Sequence, residues 1–111
     1  MDELSVEVRD LAILSERTSD LAVITVGGDL GITTANRLED ELQRAEATGV
    51  GEILLDLRNL DFIDTTGVRV LIAASRRSRD GGDRLRIIRG SAPIQRVLAS
   101  HGQAELLPFV D

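Results

Sequence analysis

The chain contains no cysteine, no lysine, no tryptophan and no tyrosine, and two phenylalanines are all the large aromatics among its 111 residues. Without cysteine there is no disulfide, no thiolate-bound metal and no cysteine nucleophile, although this absence leaves the redox compartment undetermined. With aromatics at 2%, the core has to be built from Leu, Ile, Val and Ala. The stacking platforms that hold RNA or single-stranded DNA are correspondingly missing. Gly27-Gly28-Asp29-Leu30-Gly31 superficially looks like a phosphate loop, but a chain without lysine cannot supply the Gly-Lys-Ser or Gly-Lys-Thr ending such a loop needs. Long apolar runs are absent too, since no segment approaches the roughly 18 residues that span a bilayer. The start, Met1-Asp2-Glu3, has neither the positive n-region nor the apolar h-region of a secretory signal. No membrane insertion is expected, and the expected location is cytoplasmic.

Positive charge is in short supply. Thirteen basic against nineteen acidic residues leave a formal net charge of −6, which opposes general affinity for phosphate backbones. No nucleic-acid partner is therefore expected, and the partners should be proteins. The basic residues cluster at Arg76, Arg77, Arg79, Arg84, Arg86 and Arg89, whereas acids dominate before Leu60. Such a run most commonly forms a solvated face. His101 is the only histidine; with no second imidazole or thiolate it completes neither a metal site nor a Ser-His-Asp triad, and it reads as a helix C-terminal residue. Asp56, Asp61 and Asp64 are close in sequence, but Asp56 and Asp61 are equally well explained as strand-end and turn residues. No metal, cofactor or catalytic residue is assigned, and the chain is not expected to be an enzyme.

What is present is one domain's length of patterned sequence, 42% hydrophobic. Leu4 to Arg9 alternates apolar and polar side chains like an edge strand, and Leu11 to Leu14 extends or follows it. Leu21 to Val26 is a central strand candidate, broken by Gly27, Gly28 and Gly31. Thr33 or Thr34 is placed to cap a helix whose apolar stripe is Ala35, Leu38, Leu42 and Ala45, ending near Gly49. Glu52 to Leu57, with Ile53-Leu54-Leu55 at its centre, reads as a strand covered on both faces. After a bend through Asn59 to Asp61, a second helix buries Val68, Leu71, Ile72 and Ser75 and stops at Asp80-Gly81-Gly82-Asp83. Leu85, Ile87 and Ile88 form another strand. Pro93 opens a third helix carrying Ile94, Val97 and Leu98 and ended by Gly102, and Leu106 to Val110 suggests a last short strand. The alternation predicts an α/β fold in one domain over residues 1–111, mostly parallel, with an antiparallel pair at its N-terminal edge.

One string is informative. Asp64-Thr65-Thr66-Gly67 sits where a loop meets an amphipathic helix. Asp64 is a natural N-cap, its carboxylate accepting first-turn amides and opposing the helix dipole, an effect of about 1 kcal/mol. Thr65 and Thr66 fall in the first turn. A phosphate there adds about −1.5 to −2 charges at neutral pH; the helix end tolerates an anion, whereas a docked protein surface would have to desolvate it. From the string alone, the threonines are either plain helix starters or a switchable site.

Over most of the chain the sequence resembles the STAS-domain anti-anti-sigma factors, also called anti-sigma factor antagonists. Leu57-Arg58-Asn59-Leu60-Asp61-Phe62-Ile63-Asp64-Thr65-Thr66-Gly67-Val68 is similar to the family signature of apolar, Asp, Ser or Thr, Ser or Thr, Gly, apolar. Gly28-Asp29-Leu30 followed by Thr34-Ala35 resembles the family's Gly-Glu-Leu-Asp segment and its Thr-Ala helix start, and the similarity runs from about Leu21 to Phe109. Two positions depart from the pattern: Thr65 where serine is commoner, and Gly31 where the family usually has aspartate. The resemblance implies a STAS fold, a small mixed, mostly parallel sheet of about four to five strands covered by three to four helices. It implies a protein that binds an anti-sigma factor with serine/threonine kinase activity and so releases a sigma factor. Thr65 would be the phosphorylated residue, and Asp64, Thr66, Gly67, Thr34, Gly28, Asp29 and Gly31 the partner-binding surface. A phosphatase that reverses the modification is a further candidate partner. The alternative that the resemblance leaves open is a STAS regulatory or docking subunit of a membrane transporter or other signalling assembly.

Overall fold

The structure, a computed structural model, describes residues 10–102 and 104–110. In chain order the elements are β1 (Leu11–Arg17), β2 (Leu21–Leu30), α1 (Ala35–Ala47), β3 (Glu52–Ile63), α2 (Thr65–Asp80), β4 (Leu85–Ile88), α3 (Ala92–Ala99), a 3-10 turn (Ala104–Leu106) and β5 (Phe109–Val110). They build one five-stranded sheet in the order β1-β2-β3-β4-β5. β1 is antiparallel to β2, and the remaining pairs are parallel. The expected α/β fold and its antiparallel N-terminal edge are both present. The edge strand is Leu11–Arg17; the strand expected at Leu4 to Arg9 lies outside the described residues.

Each parallel crossover advances one strand in the same direction, so right-handed connections place α1, α2 and α3 on one face of the sheet. Ala22, Ile24 and Val26, Ile53 and Leu55, and Leu85 and Ile87 point to that face and are buried. They meet Leu38, Leu42, Val68, Leu71, Ile94 and Leu98 from the helices. The alternate residues Val23, Leu54 and Ile88 are only half-buried, and Leu14 is exposed. The expectation that Ile53-Leu54-Leu55 is covered on both faces is thus corrected for Leu54, which points away from the helical layer. In α2 the apolar stripe is Val68, Leu71, Ala74 and Ser75, whereas the expected Ile72 is half-buried.

Two strands outrun the sequence reading. β2 does not stop at Gly27 and Gly28 but continues to Leu30, and β3 does not bend at Asn59 to Asp61 but continues to Ile63. The register slips between Thr25 and Gly27 and again between Gly28 and Asp29, so β3 takes up two extra residues as bulges, which re-aim a strand without ending it. Gly28 adopts φ +90°, and a Cβ there would lie 2.4 Å from the Asp10 carbonyl oxygen. That glycine admits β1 to the sheet and is not a breaker.

Of the arginine-rich run, Arg76, Arg79 and Arg89 are exposed, as expected of a solvated face, whereas Arg77 and Arg84 are engaged internally. Arg77 of α2 grips α1 through Glu46 (Nε to Oε1 2.9 Å, Nη2 to Oε2 3.0 Å) and Glu39 (2.9 Å); its Glu46 hydrogen bonds, above all, raise its already high pKa. Arg84 donates to the carbonyls of Val50 at 2.8 Å and Glu46 at 3.1 Å, holding the end of α1. Arg86 donates to the Asp83 and Leu85 carbonyls, and the Arg89 guanidinium lies 4.5 Å from the centre of the Phe109 ring.

Candidate functional site

The site forms where β2 and β3 end side by side, Asp29 opposite Phe62 and Leu30 opposite Ile63. Beyond the carboxyl ends of parallel strands the chain turns into helices, and such ends are where α/β folds place their binding surfaces. Asp64 holds the two turns together. Its amide donates to the Leu30 carbonyl at 3.1 Å. Its Oδ1 accepts the Gly67 amide at 3.1 Å, the N-cap bond of α2, and its Oδ2 accepts the Ile32 amide of the neighbouring turn at 3.0 Å. One carboxylate therefore caps a helix, as the sequence predicts, and also pins the β2–α1 turn to it.

Two glycines make this approach possible. A Cβ on Gly31 would lie 2.7 Å from Asp64 Oδ2, and a Cβ on Gly67 would lie 2.6 Å from the Leu30 carbonyl oxygen and 2.8 Å from Ile63 Cγ1. Gly31, the departure from the family's aspartate, thus has a local reason in this chain: it leaves room for the Asp64 carboxylate. Thr34 is the N-cap residue of α1 but does not cap with its side chain. Its hydroxyl turns back into the loop, donating to the Asp29 carbonyl at 2.8 Å and accepting the Gly31 amide at 2.9 Å. The Gly31 carbonyl meanwhile accepts the Ala35 amide at 2.7 Å. The expected capping role of Thr34 is therefore replaced by one inside the turn.

Thr65 is the first residue of α2, exposed, and its hydroxyl has no hydrogen-bond partner among the described residues. Thr66 beside it is half-buried, whereas Gly31, Thr34 and Gly67 are buried and shape the surface from below. Asp29 and Gly28 are half-buried along the end of β2, with the Asp29 amide donating to the Asp10 carbonyl at 3.0 Å. The structure brings Asp64, Thr65, Thr66, Gly67, Gly31 and Thr34 together. Gly28 lies further back, at the junction with β1.

Sequence reasoning did not single out two exposed apolar side chains on these turns, Ile32 between β2 and α1 and Phe62 near the end of β3. Ile32 is 76% exposed and Phe62 41%. An isoleucine between a glycine and two threonines belongs to no apolar stripe, and that was the available signal for Ile32. Arg69 was missed as well. It shares with Thr65 a groove along α2 whose other side includes His101. His101 follows α3, its Nδ1 2.9 Å from the Val97 carbonyl, which fits the helix C-terminal role expected of it. Asp56 is not a strand-end residue, because β3 runs on past it. It is nearly buried and accepts from Arg58 Nη2 at 2.8 Å and Nε at 3.1 Å. Those hydrogen bonds, together with the Arg58 amide and charge, hold its carboxyl below the usual range.

A threonine hydroxyl is a weak nucleophile unless a neighbouring base activates it. Thr65 stands accessible at the first turn of α2, beside the Asp64 cap.

Known proteins share this architecture. A profile of the STAS domain matches residues 12–111. An anti-sigma F factor antagonist of Paenibacillus polymyxa is 23% identical over 106 residues, covering 92% of this chain and 88% of that protein. Among solved structures, an anti-sigma factor antagonist from Mycobacterium paratuberculosis superposes with TM-score 0.78 at 21% identity, over 89% of this chain and 84% of the other. The anti-sigma factor antagonist SpoIIAA in its unphosphorylated form gives TM-score 0.73 at 20% identity, over 90% and 89% of the two chains. The murine Slc26a9 anion transporter gives TM-score 0.65 at 13% identity, covering 93% of this chain but 21% of the transporter. With the profile spanning the sheet, all three helices and the Asp64–Gly67 turn, the chain belongs to the STAS domain family.

Proposed function

We propose that this chain, a single STAS domain, is a cytoplasmic anti-sigma factor antagonist. It docks onto an anti-sigma factor with serine/threonine kinase activity, which frees the sigma factor, and it catalyses no reaction itself. The observation that supports this best is the exposed Thr65 hydroxyl at the tip of α2, without a hydrogen-bond partner among the described residues, in a surface fixed by Asp64 where the adjoining β2–α1 turn and the end of β3 carry the exposed Ile32 and Phe62. Exposed apolar groups around a rigid polar centre suit a protein interface. Asp64, Thr66 and Asp29 contribute the polar contacts, and Gly28, Gly31, Thr34 and Gly67 set the shape of the turns.

In the switch, the γ-phosphoryl group of ATP held by the partner is transferred to Thr65 Oγ1, ADP leaves and the hydroxyl proton is released. The phosphate adds about −1.5 to −2 charges that renewed docking would have to desolvate. The folded domain retains its structure because a helix N-terminus accommodates an anion, and a phosphatase restores the hydroxyl. A second reading, a docking subunit of a membrane transporter, draws on the fold shared with the Slc26a9 domain. Among the described residues no helix is long and apolar enough to cross a membrane.

Affinity capture of the protein from its own cells, with mass spectrometry of the eluate and phosphosite mapping, separates the readings. An anti-sigma kinase in the eluate with phosphate on Thr65 in the unbound fraction is expected. Transporter components with Thr65 unmodified would overturn the antagonist reading.

A further inference from the structure

The groove beside Thr65 encloses about 400 Å³ between α2 and the turn after α3, and Thr65, Val68, Arg69, Ile72, Arg76 and His101 line it. Thr65 and Arg69 stand four residues apart on a 16-residue helix, both exposed. Side chains at that spacing are neighbours on the helix surface, with Cβ atoms about 5–6 Å apart. Unlike Arg77 and Arg84, which are committed to α1, Arg69 forms no hydrogen bond or ion pair with a described residue. The Asp64 carboxylate, the anion nearest to Thr65 in sequence, already accepts the Ile32 and Gly67 amides and has no donor to offer a phosphate.

We infer that Arg69 is the built-in counter-ion of a phosphate on Thr65. The inference rests on reading Thr65 as the modified residue. A guanidinium matches phosphate oxygens with two parallel hydrogen bonds, and the long arginine side chain spans one helical turn without any backbone movement. The phosphate is drawn along the groove, away from Asp64, and Arg69 is withdrawn from the docking surface. Phosphorylation then changes that surface twice, adding negative charge at Thr65 and cancelling positive charge at Arg69. This loss of attraction accompanies the steric and desolvation effect of the phosphate, and the phosphorylated form is stabilised in a self-paired state.

The test uses the full-length chain with phosphothreonine genetically encoded at position 65, so that no kinase is needed, and follows the phosphate by 31P NMR against pH. The charged and titratable groups around it are Asp64, Arg69, Arg76 and His101. With Arg69 in place the phosphate should titrate about half a unit to one unit lower than in Arg69→Gln, as expected for an anion beside a fixed cation. Arg69→Lys should fall between, and Arg79→Gln, at the far end of α2, should match the unsubstituted chain. His101→Gln, which removes the imidazole lining the same groove, should leave the Arg69 effect intact. Circular dichroism of each unphosphorylated variant verifies the fold. Identical titration of the phosphate in Arg69→Gln and the unsubstituted chain overturns the inference. Failure to find phosphate on Thr65 in cells would instead strike the switch and leave the titration result standing.

Discussion

Replacing Asp64 dissects the joint on which the site depends. Its Oδ1 caps α2 through the Gly67 amide at 3.1 Å, and its Oδ2 holds the Ile32 amide at 3.0 Å. Loss of an N-cap costs about 1 kcal/mol, loss of the negative charge at the helix start about 0.5 kcal/mol, and loss of the second amide bond about 1 kcal/mol. Asp64→Ala should therefore destabilise the domain by about 2–3 kcal/mol. Serine is as good an N-cap as aspartate but too short to reach the next turn, so Asp64→Ser should lose about 1–1.5 kcal/mol, from the bridge and the charge alone. With urea slopes of about 1–3 kcal/mol/M, the alanine variant should unfold at about 1 M less urea than the unsubstituted protein, and the serine variant at about half that shift. Amide exchange identifies the bonds individually: Ile32 should lose protection in both variants, Gly67 only in alanine. Equal destabilisation by serine and alanine, or unchanged Ile32 protection in both, would refute the bridging role of the carboxylate.

The glycines and the Asp56–Arg58 ion pair give further tests. Gly31→Ala, whose Cβ would meet Asp64 Oδ2 at 2.7 Å, should speed Ile32 amide exchange while leaving the Gly67 cap intact; unchanged exchange would contradict the close approach. Gly67→Ala meets a backbone oxygen at 2.6 Å, which cannot swing aside, and should cost about 1–3 kcal/mol in urea unfolding despite alanine's better helix propensity. Arg58 holds the Asp56 carboxyl below its usual range, so the folded state releases that proton more readily than the unfolded chain, where it titrates near about 3.9. The stabilisation is complete at neutral pH and is lost as pH falls below about 4 through the lowered folded value. The stability gap between the unsubstituted protein and Arg58→Gln, read by urea unfolding at several pH values, should accordingly narrow in acid; a constant gap would rule out the linkage.

Much of this was legible in the sequence because periodicity reports burial. The stripe Ala35, Leu38, Leu42 and Ala45 is the buried face of α1, and the alternating strands and helices gave the parallel sheet. Asp64 announced itself as a cap by chemistry and position. The misses share a physical cause. Gly27-Gly28 and Asn59 to Asp61 look like breaks in sequence, since glycine and asparagine serve both turns and bulges; only the register of the neighbouring strand decides between them. Leu54 has the same side chain as Leu55, but its burial depends on which face of the sheet the helices cover, and that follows from crossover direction. Thr34 could cap its helix or turn back to the Asp29 carbonyl, and the shape of the Gly31 turn selects the second. The bridge from Asp64 to Ile32 joins residues 32 apart, a contact that no local pattern encodes.

The most direct test of the switch at Thr65 compares the affinity of the unmodified chain, and of the same chain carrying phosphothreonine at 65, for the anti-sigma factor of its own organism by titration calorimetry. Tight binding by the unmodified chain and at least about tenfold weaker binding by the phosphorylated one, a difference of about 1.4 kcal/mol, is predicted. Equal affinity of the two forms would contradict it.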